Sequence, residues 1–89
     1  MRLGKNQKTL LKRMAVEKLV LRYIVDHRRH SRTVELQDES GDNTYETVTL
    51  RMFQSLPKEM IYQKFAIGSM ELEVYEYRAT PMCSTMLSR

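Results

Sequence analysis

Two alternating stretches separated by a turn-forming run constrain this chain more than any other feature. Thr33-Val34-Glu35-Leu36-Gln37 places Val34 and Leu36 on one face, and Thr44-Tyr45-Glu46-Thr47-Val48-Thr49-Leu50 does the same with Val48 and Leu50. A period of two is the pattern of a half-buried strand. Between the stretches lies Asp38-Glu39-Ser40-Gly41-Asp42-Asn43. Gly, Asp and Asn tolerate the positive φ angles that a chain reversal needs. A β-hairpin over 33–50 is therefore expected, and the other elements must pack against it.

Upstream, residues 5 to 27 or 29 contain no Gly or Pro. Leu10, Met14, Leu21, Ile24 and Val25 gather on one side of a helical wheel, interrupted by Glu17 inside the stripe and Lys18 at its edge. Asn6 or Thr9 can cap its start. A continuous N-terminal helix is preferred, because nothing between Arg13 and Lys18 resembles a turn. The rival is a strand over 18–25, where Leu19, Leu21, Tyr23 and Val25 alternate with Lys18, Val20, Arg22 and Ile24. In a continuous helix, Val16, Leu19, Val20 and Tyr23 lie off the main stripe and call for a second partner, such as another copy of the chain.

Downstream, Pro57 suits a first helical turn and Gly68 a helix end, so a short helix is expected near 57–66 with Met60, Ile61 and Phe65 as its apolar face. A last strand is expected over 69–78, with Met70, Leu72 and Val74 on one face and Glu71, Glu73, Tyr75 and Tyr77 on the other. From Ala79 to Arg89 no periodicity survives, which predicts a flexible tail containing the single cysteine, Cys83. The expected architecture is one α+β domain over 1–78: a small antiparallel sheet of three or four strands, a long N-terminal helix and a short helix.

Composition sets the outer bounds. The chain has 89 residues, 42% hydrophobic and 29% charged, which is ordinary globular usage. No apolar run reaches the roughly 18 residues of a membrane span, and the first residues lack a secretory signal pattern. A cytoplasmic protein with no membrane association is expected. One cysteine rules out an internal disulfide.

Charge is distributed unevenly. Residues 1–32 carry ten Lys and Arg against two acids, a balance of +8, while residues 33–89 carry five against nine, a balance of −4. Lys5, Lys8 and Lys12 share a helix face opposite the apolar stripe, followed by Arg13 and, further on, by Arg28, Arg29 and Arg32. Phosphates are met by cations spaced along a surface. The bland alternative is a solubilising face that touches only water.

No enzyme signature is found. Gly4, Gly41 and Gly68 are too dispersed for a phosphate-cradling loop, and no nucleophile sits in a motif. His27 and His30 are spaced for a metal on a helix, but nothing supplies further ligands and Arg28 and Arg29 lie between them. Neither a cofactor nor a metal is expected. A helix-turn-helix would need a break in the first 30 residues, and a wing at 33–50 would present Asp38, Glu39 and Asp42 to phosphates. Tyr75 and Tyr77 are spaced to stack bases, but Glu73 and Glu76 flank them, which favours a protein surface. The expectation is a non-catalytic nucleic-acid-binding accessory or regulatory protein, acting as a homodimer through Lys5, Lys8, Lys12, Arg13, Arg28, Arg29 and Arg32. The alternative is a protein-interaction module, an inhibitor or adaptor, that binds through Tyr45, Tyr75 and Tyr77 or an open sheet edge.

Overall fold

A computed structural model describes residues 4–65 and 68–80. It is an α+β fold with one five-stranded antiparallel sheet. Helix α1 (Lys5–Glu17) leads into β1 (Leu19–Asp26), β2 (Ser31–Asp38) and β3 (Thr44–Val48). Helix α2 (Leu50–Ser55) and a 3-10 turn (Lys58–Met60) follow, then β4 (Ile61–Phe65) and β5 (Leu72–Ala79). The strand order is β3-β2-β1-β5-β4, so β1 is central.

The long helix expected from Lys5 to the His27–Arg29 region is corrected here: α1 stops at Glu17. Lys18 adopts left-handed backbone angles, φ 55° and ψ 46°, and its N–H donates to the Met14 carbonyl. The strand reading of the following segment is the one the fold adopts. Leu19 through Asp26 pair along their full length with β2, from Leu19↔Asp38 to Asp26↔Ser31, and from Leu21 onward with β5. Two flanking strands satisfy every backbone group of a central strand, and the Val, Ile and Tyr content suits that setting. The start of α1 is also held differently. Gly4 occupies the cap position and its N–H donates to Gln7 Oε1 at 2.7 Å, while the Thr9 hydroxyl donates back to the Lys5 carbonyl.

The hairpin forms as expected, with Val34 opposite Val48 and an irregularity in register between Leu36 and Gln37. Leu50 lies beyond the strand, in α2. That helix begins where Thr49 Oγ1 accepts the Met52 N–H at 3.1 Å, and it ends before Leu56, which precedes Pro57 and is extended. The helix expected over 57–66 is a second correction: only 58–60 turn, and 61–65 form β4, paired with β5 from Ile61↔Ala79 to Phe65↔Tyr75. Ile61 and Phe65 offer only one i, i+4 apolar pair to a helix face, whereas β5 pairs with every residue from Ile61 to Phe65. The sheet therefore has five strands rather than three or four. Of the stretch expected as a tail, Ala79 closes β5 and the Thr80 N–H donates to the Met60 carbonyl; residues 81–89, with Cys83, lie outside the described residues.

Both helices lie on one face of the sheet. Leu10, Leu11 and Met14 of α1 are buried with Leu19, Leu21, Val34, Leu36, Val48, Leu56 and Met60. Phe53 of α2 meets Tyr23 at 5.5 Å and Tyr77 edge-on at 4.7 Å. Leu19 and Val20 are buried within the chain and Tyr23 has Phe53 as a partner, so these three no longer call for a second copy, whereas Val16 stays 70% exposed on α1. On the opposite face the turn after β2 folds over Arg22. The guanidinium donates to Gln37 Oε1, to the carbonyls of Asp38 and Glu39, and to Glu76 Oε1, at 2.7 to 3.1 Å. Four acceptors satisfy a cation that is only 9% exposed. Among the described residues no helix is long and apolar enough to cross a membrane.

Candidate nucleic-acid interface

The seven cations singled out by sequence fall into two groups and an exception. Lys5, Lys8 and Lys12 are exposed on α1. Their spacing of three and four residues keeps them on one side of the helix. Lys5 and Lys8 also sit at the helix start, where no acid occupies the first turn. Cations there oppose the helix dipole at a cost of roughly 0.3–1 kcal/mol each.

Arg28, Arg29 and Arg32 form the second group, at the tip of the β1–β2 hairpin, and all three are exposed. Asp26 organises this tip: its Oδ1 accepts the N–H groups of both Arg28 and Arg29 at 3.1 Å. His30 completes the reversal with φ 53°. The backbone of the turn is thus secured by an acid inside it, and the arginine side chains project around it.

Arg13 is the exception. It donates to Glu17 at 3.2 Å and to Glu46 at 3.0 Å, and its guanidinium lies 5.8 Å from the centre of the Tyr45 ring. It fastens α1 to β3.

The two groups sit on different elements, one on α1 and one at the hairpin tip. Met14, Ala15 and Lys18 of α1 border a cleft with Tyr62, Arg78 and Ala79, and Asn6, Thr9 and Leu10 border another with Glu46–Thr49. The C-terminal end of α1 thus lies near the Leu19 end of β1 and its first turns beside Val48 and Thr49 of the β3 side, while the basic tip follows Asp26 at the far end of β1.

The acids that neutralise other parts of the surface are spoken for. Glu76 receives Arg22 and Arg78, Glu39 receives Arg78, and Glu73 receives His27. Burial alone would raise the Glu76 carboxyl, but the Arg22 hydrogen bond and the nearby positive charges outweigh it and hold the group below its usual range. The ionised Glu73 carboxylate accepts from His27 Nε2 at 2.5 Å and from the Tyr75 hydroxyl at 3.1 Å. The His27 bond, then the Tyr75 bond, keep Glu73 below the ordinary carboxylate range. Among the described residues, none of the ion pairs involves Lys5, Lys8, Lys12, Arg28, Arg29 or Arg32.

The tyrosines of the alternative reading are also separated by the fold. Tyr45 is 48% exposed on the edge strand β3. Tyr77 packs on Phe53 in the helix layer, and Tyr75 is half-buried beside Tyr23, with ring centres 6.2 Å apart. The Glu73-Tyr75-Tyr77 face is thus the helix-bearing one, whereas Met70 and Leu72 are exposed. Sequence reasoning missed Tyr23 and Gln63. These two line a concavity of about 290 Å³ together with His27, Arg32, Tyr75 and Tyr77, beyond the cover of α2. The alternation of Leu19, Leu21, Tyr23 and Val25 carries the signal for Tyr23 once that segment is read as a strand. Among the described residues, no cluster of His, Cys, Asp or Glu could hold a metal ion. No family model, curated protein or solved structure matches the chain.

Proposed function

We propose that this protein is a non-catalytic nucleic-acid-binding accessory or regulatory protein that grips phosphates at two places, the Lys5–Lys8–Lys12 face of α1 and the Arg28–Arg29–Arg32 hairpin tip. The observation that carries this reading is the sorting of charge. Internal acids engage Arg13, Arg22, His27 and Arg78, and six of the seven cations singled out by sequence stay exposed and outside every ion pair among the described residues. Two lysines at a helix start lower local stability; local costs of this kind gather where a surface serves a ligand.

The test is fluorescence anisotropy of labelled oligonucleotides across a salt series. Affinity should fall steeply, with log K declining by about 0.9 per contacted phosphate for each unit of log salt on duplex DNA and about 0.7 on a single strand. Lys5→Gln/Lys8→Gln/Lys12→Gln and Arg28→Gln/Arg29→Gln/Arg32→Gln should each reduce the slope by roughly 2 to 3. Absence of binding at low salt, or slopes that neither triple variant changes, rules the reading out.

One observation favours the alternative of a protein-interaction module. β3 is an edge strand, and its exposed Tyr45 lies beside backbone groups with no further strand among the described residues. Such an edge accepts an added strand, and a partner that copurifies in stoichiometric amount and is lost on Tyr45→Asp would support that reading.

A further inference from the structure

The concavity beside the hairpin tip has a composition that a simple phosphate grip does not require. Its floor is aromatic: Tyr23 and Tyr75 are directly opposed in the β1–β5 register, with ring centres 6.2 Å apart and planes tilted by 35°. Tyr77 continues the floor toward α2, where Phe53, on the same side of the sheet, packs against both Tyr23 and Tyr77 and closes that end of the concavity. Arg32 and His27 stand on the hairpin side, and Gln63 stands on the β4 side. Arg28 and Arg29 follow immediately in the turn. The layout is a stacking surface bordered on one side by cations.

The two acids that argue against base stacking in the bare sequence are accounted for by the fold. Glu76 is on the opposite face of the sheet, paired in register with Arg22 and bonded to it. Glu73 does border the concavity, but its two oxygens are taken by His27 and by the Tyr75 hydroxyl. That second bond also fixes the Tyr75 side chain from its polar end.

We infer that the part of this sheet face lining the concavity is a platform for single-stranded nucleic acid, with unpaired bases stacking on Tyr23 and Tyr75 and the adjoining phosphates held by Arg28, Arg29 and Arg32. The inference rests on the phosphate-binding reading above and narrows it to a ligand class. Bases within a duplex are already stacked on each other and hide their faces, so an aromatic floor gains nothing from them. Single strands expose those faces, and stacking tolerates any sequence because every base has one. A protein partner would also find tyrosines attractive, but the arginines at the rim, outside every ion pair among the described residues, complement a polyanion.

The experiment compares a labelled mixed-sequence strand of about 12 nucleotides, within the range of known single-strand sites, with the duplex of the same sequence. Wild-type protein, Tyr75→Leu and Tyr75→Phe are measured at one low salt concentration. The expected result is tighter binding of the single strand than of the duplex, a loss of about tenfold for the strand in Tyr75→Leu, no change for the duplex, and retention in Tyr75→Phe. Equal affinity for both ligands, unaffected by Tyr75→Leu, overturns the platform and leaves phosphate binding standing. No binding of either ligand by the wild type overturns the phosphate reading itself. If Tyr75→Leu fails to fold, ultraviolet crosslinking of a 5-iodouridine strand to the wild type decides the matter. Adducts on Tyr23 or Tyr75 support the platform, and adducts confined to α1 exclude it.

Discussion

Asp38 shows how much of the hairpin rests on one side chain. Its Oδ1 accepts from the Ser40 hydroxyl and from the N–H groups of Gly41 and Asp42 at 2.8 to 3.0 Å, and its Oδ2 accepts from the Asn43 amide at 2.8 Å. The Asn43 bond does most to favour the ionised form; partial burial works against it and is outweighed, so the carboxyl is lowered to about 2. A group whose pKa is depressed by folding adds stability that is complete above its unfolded value, near 4, and is lost as pH falls through the folded one. The Asp38 carboxyl carbon should therefore titrate by NMR with a midpoint at about 2, and Asp38→Ala should flatten the acid limb of stability between roughly 4 and 2. A midpoint near 4 would show that these bonds do not hold in solution. The turn itself was legible, since Gly41 takes φ 83° where glycine is favoured. The role of Asp38 within it was not, because nothing local distinguishes it from Asp42. Nor did its sequence neighbours reveal that the turn shields Arg22, which depends on two strands meeting.

At the scale of elements, the break between α1 and β1 is the informative case. Helices usually end at Gly, which enters the left-handed region freely, but here Lys18 does so. The absence of Gly and Pro made the segment read as one helix, while Glu17 and Lys18, which spoil the apolar stripe, marked the true end. What decides the outcome is non-local: β2 and β5 both need β1 as a partner. Left-handed backbone costs a residue with a Cβ about 1–2 kcal/mol, and the greater chain entropy of Gly returns part of that. Lys18→Gly should therefore stabilise the protein by about 0.5–1 kcal/mol in urea denaturation. If the chain were helical through this point, the same substitution would destabilise it by about 1 kcal/mol, so the sign alone distinguishes the two. The stretch after Pro57 failed to read correctly for the converse reason. Its proline and Gly68 are good helix punctuation, and the residues between them show no alternation, but they have a strand to pair with. Helix α2 was missed because six residues are too few to show a period, and its signal is the Thr49 cap.

Across the whole molecule, the uneven charge of the sequence is partly cancelled by folding. Arg13–Glu46, Arg22–Glu76 and His27–Glu73 each join the basic first third to the acidic remainder. Among the described residues, the exposed cations outside these pairs include the lysines of α1 and the arginines of the hairpin tip, two groups of like charge within a chain of net charge +4, besides the scattered Lys18, Arg51, Lys58 and Lys64. Neighbouring like charges on a helix repel by a few tenths of a kcal/mol per pair, and salt screens such exposed repulsion more than it weakens partly buried pairs such as Arg22–Glu76. The Tm of the free protein should therefore rise as salt is added from low ionic strength. In Lys5→Gln/Lys8→Gln/Lys12→Gln, where helix propensity is nearly unchanged, the low-salt Tm should be higher and the rise smaller. A bound single strand supplies the missing countercharge, so at about 100 times its Kd it should stabilise the wild type by roughly 2.7 kcal/mol, an effect that salt diminishes. The same salt series thus moves the free and bound proteins in opposite directions. If the Tm of the free protein falls with salt instead, the ion pairs dominate its electrostatics, and the exposed cations are not the strained, ligand-seeking surface proposed for them.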